Sequence, residues 1–127
     1  MRARRASRVA LAVFFTLAGI AHFAFDAQFA AIVPPLLPLP LIIVWLTGFI
    51  ELGFAAALLQ RLFLPAIGKW LSLYLLAVLP ANIYMAWADV PVFGVHAPAW
   101  MLWGRLPLQL LLIAWILWAT QPVEKTR

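Results

Sequence analysis

Four long apolar stretches dominate the chain, and short polar or proline-containing segments separate them. They cover residues 9–25, 41–59, 70–88 and 103–120. The start of the last stretch is the least defined, because its clean apolar run begins only at Leu106. A helix of about 20 apolar residues crosses the hydrocarbon core of a bilayer. The pattern therefore predicts an all-α fold, a transmembrane four-helix bundle that forms one domain over residues 1–127.

Composition supports a protein that is surrounded by lipid. Hydrophobic residues make up 67% of the chain and charged residues 10%, whereas a soluble domain usually contains about 25% charged residues. The net charge of +5 is concentrated beside the apolar stretches and does not indicate nucleic-acid binding. The chain has no cysteine, which excludes disulfides, thiol chemistry and cysteine-ligated metals.

The distribution of basic residues predicts an orientation. With the N-terminus in the cytoplasm, eight of the nine basic residues are cytoplasmic, and Arg105 alone lies outside. The eight are Arg2, Arg4, Arg5, Arg8, Arg61, Lys69, Lys125 and Arg127. We expect a bacterial inner-membrane protein with both termini inside. A cleaved signal peptide is the less favoured interpretation of the first stretch, because three further spans follow it.

The connection between the first two spans, residues 26–40, is rich in proline. Residues 34, 35, 38 and 40 are all proline, which is incompatible with regular helix. We expect this outer loop to follow an extended path on the outer face of the bundle.

Each predicted span contains one or two side chains that are costly in lipid. Such residues usually face the interior of a bundle and mark sites or pathways. With a rise of about 1.5 Å per residue, all of them fall in the outer half of the membrane and are expected to converge. They are His22, Glu51, Asn82, Arg105 and Gln109.

Structural roles compete with a binding role at most of these positions. Asn82 and Gln109 are typical of residues that hydrogen-bond one helix to another. His22 has the same alternative, and Arg105 can extend to the outer head groups. Glu51 is the strongest candidate, because a carboxyl group near mid-membrane must be protonated, paired with His22 or Arg105, or functional.

Four further residues are secondary candidates for the same site. Asp26 lies four residues after His22 and so shares its helix face. Trp45, Tyr84 and Trp103, together with Phe23, are expected to supply aromatic walls around a bound ring.

Several chemistries are not supported by the residues present. A haem held within the membrane needs two facing histidines, and only His22 lies within a span. His22, Asp26 and Glu51 are spread over too much depth to bind one metal ion. We find no nucleophile paired with a base and no glycine-rich phosphate loop.

Five short segments resemble the DoxX-like family of small four-helix membrane proteins. They are residues 18–23 (AGIAHF), 32–35 (IVPP) with 37–38 (LP), 48–53 (GFIELG), 80–85 (PANIYM) and 105–109 (RLPLQ). The family is named after a membrane subunit associated with a thiosulfate:quinone oxidoreductase. The resemblance implies the four-helix fold and, by analogy, a quinone-linked or redox-associated role. It places the polar positions of the family at the five residues already selected.

Three functions remain open from the sequence. The first is a pocket for a quinone-like molecule, in which Glu51 exchanges a proton and a partner subunit carries electrons. The second is a structural or assembly subunit of a membrane complex, whose polar residues set the register of the helices. The third is a small proton-coupled exporter, although the strong charge bias argues against a dual-topology dimer. Homo-oligomerisation is compatible with each of them.

Overall fold

A computed structural model describes residues 2–91 and 94–122, which are mainly helical. Lys125 and Arg127, both expected on the cytoplasmic side, lie outside the described residues. The helices are α1 (Arg2–Ala24), α2 (Asp26–Ala30), α3 (Pro40–Gln60), α4 (Leu64–Ala88) and α5 (Ala99–Ala119).

The four long helices α1, α3, α4 and α5 are each long and apolar enough to cross a membrane. This confirms the predicted number of long apolar helices. Only 22–28% of the residues in their most apolar windows are buried inside the bundle, so most apolar side chains face outward. A bundle with that surface is suited to lipid rather than to water.

The helices extend beyond the predicted apolar stretches. α4 begins at Leu64, so that Pro65 lies in its first turn and Gly68 lies inside the helix rather than in a connection. Proline is well tolerated in a first turn, where its missing N–H would have no helical partner. Only residues 61–63 separate α3 from α4. The backbone N–H of Leu62 bonds to the carbonyl of Ala57 at 3.1 Å, which closes the end of α3.

The bundle consists of two closely packed helix pairs. α1 packs chiefly against α3, and α4 packs chiefly against α5, with fewer contacts between the pairs. α1 and α3 meet where both helices have glycine. A Cβ atom on Gly48 would lie 2.8 Å from a ring atom of Phe23 and 3.2 Å from the carbonyl oxygen of Gly19. Both glycines are therefore required for this close approach.

The two ends of the bundle differ. We call the end with the start of α1, residues 61–63 and the end of α5 the basic end, and the end with α2 and residues 89–98 the distal end. The main hydrophobic core occupies the half nearer the basic end, and the candidate site residues lie in the middle and distal half. The core residues are Leu11, Ala12, Phe15, Ala55, Leu58, Leu71, Leu75, Ile116 and Ala119.

The connection from α1 to α3 does not follow the expected extended path. It begins with α2 and continues through turns and bends over residues 31–39. The N–H of Leu37 bonds to the carbonyl of Pro34 at 3.0 Å, which closes a turn. Closely spaced prolines exclude a continuous helix but are compatible with tight turns, so the prolines here reverse the chain instead of extending it.

Candidate functional site

Glu51 lies in the middle of α3 and faces the interior of the bundle. It is 7% exposed. The hydroxyl of Tyr74, on α4, donates a hydrogen bond of 2.8 Å to its Oε1. Glu51 is a candidate from the sequence, whereas Tyr74 is not. Glu51 lies nine residues before the end of α3, and Tyr74 lies ten residues after the start of α4. Because residues 61–63 join the two helices, this spacing places both side chains at about the same depth in the bundle.

His22, on α1, completes a group of three polar side chains from three helices. Its Nδ1 lies 3.4 Å from Glu51 Oε2 and 2.6 Å from the carbonyl oxygen of Ala18. A nitrogen so close to a carbonyl oxygen carries a hydrogen, so Nδ1 donates to Ala18. His22 was one of the two pairing partners expected for Glu51; Arg105, the other, contacts Asn82 instead.

One oxygen of this group stands out. Glu51 Oε2 is inaccessible to solvent and accepts no hydrogen bond from the residues that the structure describes. A buried polar atom without a partner costs about 1–3 kcal/mol. Proteins tolerate such atoms mainly at sites where a ligand, a water molecule or a proton supplies the missing interaction.

The glycine contact between α1 and α3 positions His22 beside Glu51. A Cβ atom on Gly48 would lie 3.0 Å from His22 Cβ, so the absence of a side chain there lets His22 reach across α3. Gly48 precedes Glu51 by three residues and therefore lies about one helical turn away on the same face. The same close approach thus packs the helices and builds the polar group.

The short helix α2 covers the polar group at the distal end. The ring of Phe29 stacks on the imidazole of His22, with centroids 4.4 Å apart and planes inclined by 16°. The indole N–H of Trp45 donates to Asp26 Oδ2 at 3.0 Å, and Asp26 Oδ1 accepts from the N–H of Ala27 at 2.8 Å. Asp26 and Trp45, both secondary candidates, thereby join α2 to α3.

The remaining primary candidates form a second group between α4 and α5. Asn82 Nδ2 donates to Gln109 Oε1 at 2.5 Å, and Gln109 Nε2 donates to the carbonyl of Leu75 at 2.6 Å. The exposed Arg105 donates to Asn82 Oδ1 at 3.4 Å. Pro80 lies inside α4 between Leu75 and Asn82, where a proline loosens the helical hydrogen bonding.

The five primary candidates thus form two groups rather than one. His22 and Glu51 belong to the first, with Tyr74; Asn82, Gln109 and Arg105 belong to the second. The two groups are adjacent along α4. Tyr74 bonds to Glu51 in the first group, and the carbonyl of the next residue, Leu75, accepts a hydrogen bond from Gln109 in the second.

Two secondary candidates lie apart from these hydrogen bonds. Tyr84 is half-buried on α4, and Trp103 is 48% exposed on α5. The other two residues of the expected aromatic walls make contacts at the distal end. There Phe23 meets Phe49 edge to face at 5.0 Å, and Trp45 bonds to Asp26. Within the described residues there is no group of three His, Asp or Glu side chains that could hold a metal ion.

The fold and the site define a small all-helical protein with four helices able to span a membrane and a buried carboxyl group at their centre. The chain belongs to a family described as a domain of unknown function (DUF8561), which matches residues 11–120. No curated protein and no solved structure matches the chain. The relation to the DoxX-like family stays a prediction.

Proposed function

We propose that this protein is an integral membrane protein that binds a small membrane-soluble molecule with a hydroxyl or carbonyl head group, of the quinone type, at Glu51. The observation that carries the proposal is the buried Oε2 atom of Glu51, which lacks a hydrogen-bond partner among the described residues. A carboxylate oxygen there accepts a hydrogen bond from a hydroxyl group, and a protonated carboxyl donates one to a carbonyl group.

The surrounding residues favour a binding role over catalysis. Tyr74 holds one carboxyl oxygen of Glu51 and leaves the other to a ligand. His22 Nδ1 lies 3.4 Å from that second oxygen, but it donates its hydrogen to the carbonyl of Ala18 and leaves the oxygen unbonded. The geometry therefore supports binding a polar head group and exchanging a proton with it. Electron transfer to or from a quinone would require a redox partner subunit.

We further propose the bacterial inner membrane as the location and a cytoplasmic position for both termini. The support is the charge distribution, since Arg4, Arg5, Arg8 and Arg61 all lie at the basic end. Because the chain has no cysteine, single cysteines at Arg5 and at Gln28 can report the orientation. In intact cells a membrane-impermeant maleimide should label the second and not the first. The reverse pattern would reject this orientation.

The binding proposal is tested by identifying what co-purifies with the protein. The protein is extracted in mild detergent, and its bound small molecules are identified by mass spectrometry. We expect a lipophilic molecule with a hydroxyl or carbonyl head group on the wild type, and at least a tenfold smaller amount on Glu51→Ala.

Ser72→Ala is the matched control for this experiment. Ser72 is also a buried polar residue, but its hydroxyl bonds to the carbonyl of Gly68 within α4. We expect this variant to keep the ligand. Circular dichroism and thermal unfolding of each variant establish that the bundle persists. A ligand retained in full by Glu51→Ala, or absent from the wild type, rejects the proposal.

A structural or assembly role is the second candidate, and the group between α4 and α5 favours it. Asn82, Gln109 and the carbonyl of Leu75 satisfy one another within the chain, which is what interhelical hydrogen bonding requires. Co-purification of another membrane protein without a small ligand, together with wild-type behaviour of Glu51→Gln, would support this role over ligand binding.

A further inference from the structure

Helix α2 is a separate segment that continues α1 after a single break. Phe25 interrupts the helix with φ −122° and ψ 39°, between Ala24 and Asp26. The break keeps some helical bonding, since Phe25 N–H bonds to Ala21 at 2.9 Å and Phe29 N–H bonds to Phe25 at 3.0 Å. A one-residue change of direction of this kind allows a short segment to rotate about it while α1 stays in place.

The interactions of defined geometry between α2 and the bundle include one aromatic stacking and one hydrogen bond. Phe29 stacks on His22, and Asp26 accepts a hydrogen bond from Trp45. None of the five residues of α2 is buried. Segments with little buried surface open locally at a small fraction of the free energy of global unfolding.

The described residues leave a depression beside α2. A depression of about 430 Å³ is lined on one side by Ala27, Gln28 and Ala31, and on the other by Pro91 and Gly94. Through Phe29, α2 also contacts the imidazole of His22, which belongs to the Glu51 group. α2 can therefore move towards the depression without displacing a long helix.

We propose that α2 is a hinged cover over the Glu51 group, that the hydrogen bond between Asp26 and Trp45 keeps it closed, and that a ligand reaches Glu51 from the distal end when α2 moves off His22. That the covered group is a ligand-binding site rests on the proposed function. The motion is confined to α2, because the Gly19–Gly48 contact fixes α1 against α3 just below it.

The test measures access to Glu51 directly and needs no ligand. A water-soluble carbodiimide modifies carboxyl groups, and peptide mass spectrometry follows the modification at Glu51 separately from that at the other acids. Trp45→Phe keeps an aromatic ring but removes the N–H that bonds to Asp26. Loss of one hydrogen bond of ordinary strength should raise the modification rate at Glu51 about fivefold.

Two further variants make this experiment specific. Phe29→Ala removes the ring that covers His22 and should raise the rate at least as much. Trp103→Phe is the matched control, because Trp103 is a similarly exposed tryptophan near the distal end of α5, away from α2. Its rate should equal that of the wild type. Thermal unfolding of Trp45→Phe should reflect no more than the loss of this one hydrogen bond, since none of the residues of α2 is buried and the long helices keep their contacts.

Hydrogen exchange provides a second measurement. In Trp45→Phe the amides of Phe29 and Ala31 should exchange about fivefold faster, while those in the middle of α1 and α3 keep their rates. The proposal is overturned if neither Trp45→Phe nor Phe29→Ala changes the modification rate. It is equally overturned if only a lipid-soluble carbodiimide reaches Glu51, because access then runs between the helices. Absence of a co-purified ligand would reject the proposed function and leave this result standing.

Discussion

At the scale of single residues, the pairing of Tyr74 with Glu51 is the central contact of the site. A carboxyl group inside an apolar bundle is costly, and each hydrogen bond to it offsets part of that cost. Glu51 receives one from Tyr74 at 2.8 Å, and Nδ1 of His22 lies 3.4 Å from its other oxygen. Tyr74 therefore holds the carboxyl group in the orientation that leaves Oε2 without a hydrogen bond from the described residues.

We predict that Tyr74→Phe destabilises the protein. The change keeps the ring but leaves Glu51 Oε1 without its donor, at a cost of about 1–3 kcal/mol. Denaturant or thermal unfolding in detergent measures the loss. Tyr84→Phe is the control, because Tyr84 is the only other tyrosine in the chain and is half-buried on the same helix. Equal stability of the two variants would show that the bond to Glu51 contributes nothing.

The candidate site was only partly predictable from individual residues. Glu51 and His22 stand out in the sequence because ionisable groups are rare in apolar helices. Tyr74 gives no such signal, since tyrosine is common in membrane proteins, especially near the membrane interfaces. The five polar positions were expected to converge because depth along each helix was the only coordinate available. Depth does not show which face of a helix meets which neighbouring helix. The helix faces determine the contacts, and they separate the five residues into two groups.

At the scale of elements, hydrophobic patterning predicted the four long helices but missed α2. Five residues are too few for a periodic signal, and the helix is stabilised by tertiary contacts such as the one between Asp26 and Trp45. Patterning also placed Pro65 and Gly68 in a connection, because the polar residues Gln60, Arg61 and Lys69 bound the apolar stretches on either side. The structure has them in the first turns of α4, where proline is tolerated and Gly68 packs against Thr120.

Between elements, the glycine contact of α1 with α3 gives a sharp prediction. A Cβ atom on Gly48 would lie 2.8 Å from Phe23 Cε2 and 3.0 Å from His22 Cβ. Gly48→Ala should therefore push α1 from α3 and destabilise the bundle by about 1–3 kcal/mol. Because His22 moves away from Glu51, the variant should also lose the ligand proposed to bind there.

Gly53→Ala is the matched control on the same helix. Nothing lies within 4 Å of a Cβ atom placed there. We expect stability within about 1 kcal/mol of the wild type, with any gain coming from the better helix propensity of alanine. Unfolding curves of the two variants, recorded in the same detergent, decide the matter. Equal destabilisation at both positions would contradict a specific contact at Gly48.

At the scale of the whole molecule, the start of α1 closes the bundle against the end of α5. Arg8 is 5% exposed and donates from its guanidinium to the carbonyl of Ala119 at 3.1 Å. Ser7 accepts a hydrogen bond from Trp115, and the guanidinium of Arg4 lies 5.3 Å from the ring centre of Trp118. From the sequence, these arginines are expected only to set the orientation of the protein in the membrane. A charge next to a span does not reveal that its side chain is buried against another helix.

Arg8 should therefore contribute to stability in a way that its exposed neighbours do not. A cation at the carboxyl end of a helix interacts favourably with the last carbonyl groups, and this one is buried. Arg8→Gln should cost about 1.5–3 kcal/mol, the usual contribution of a hydrogen bond to a charged group.

Arg5→Gln is the control, because it removes the same charge from an exposed position; it should change stability by less than about 0.5 kcal/mol. Arg8 lies close enough to Arg4, Arg5 and Arg61 to be repelled by them, so relief of that repulsion opposes the loss. If unfolding in detergent shows Arg8→Gln to be as stable as Arg5→Gln, repulsion offsets the bond to Ala119, and Arg8 contributes no net free energy to the packing of α1 against α5.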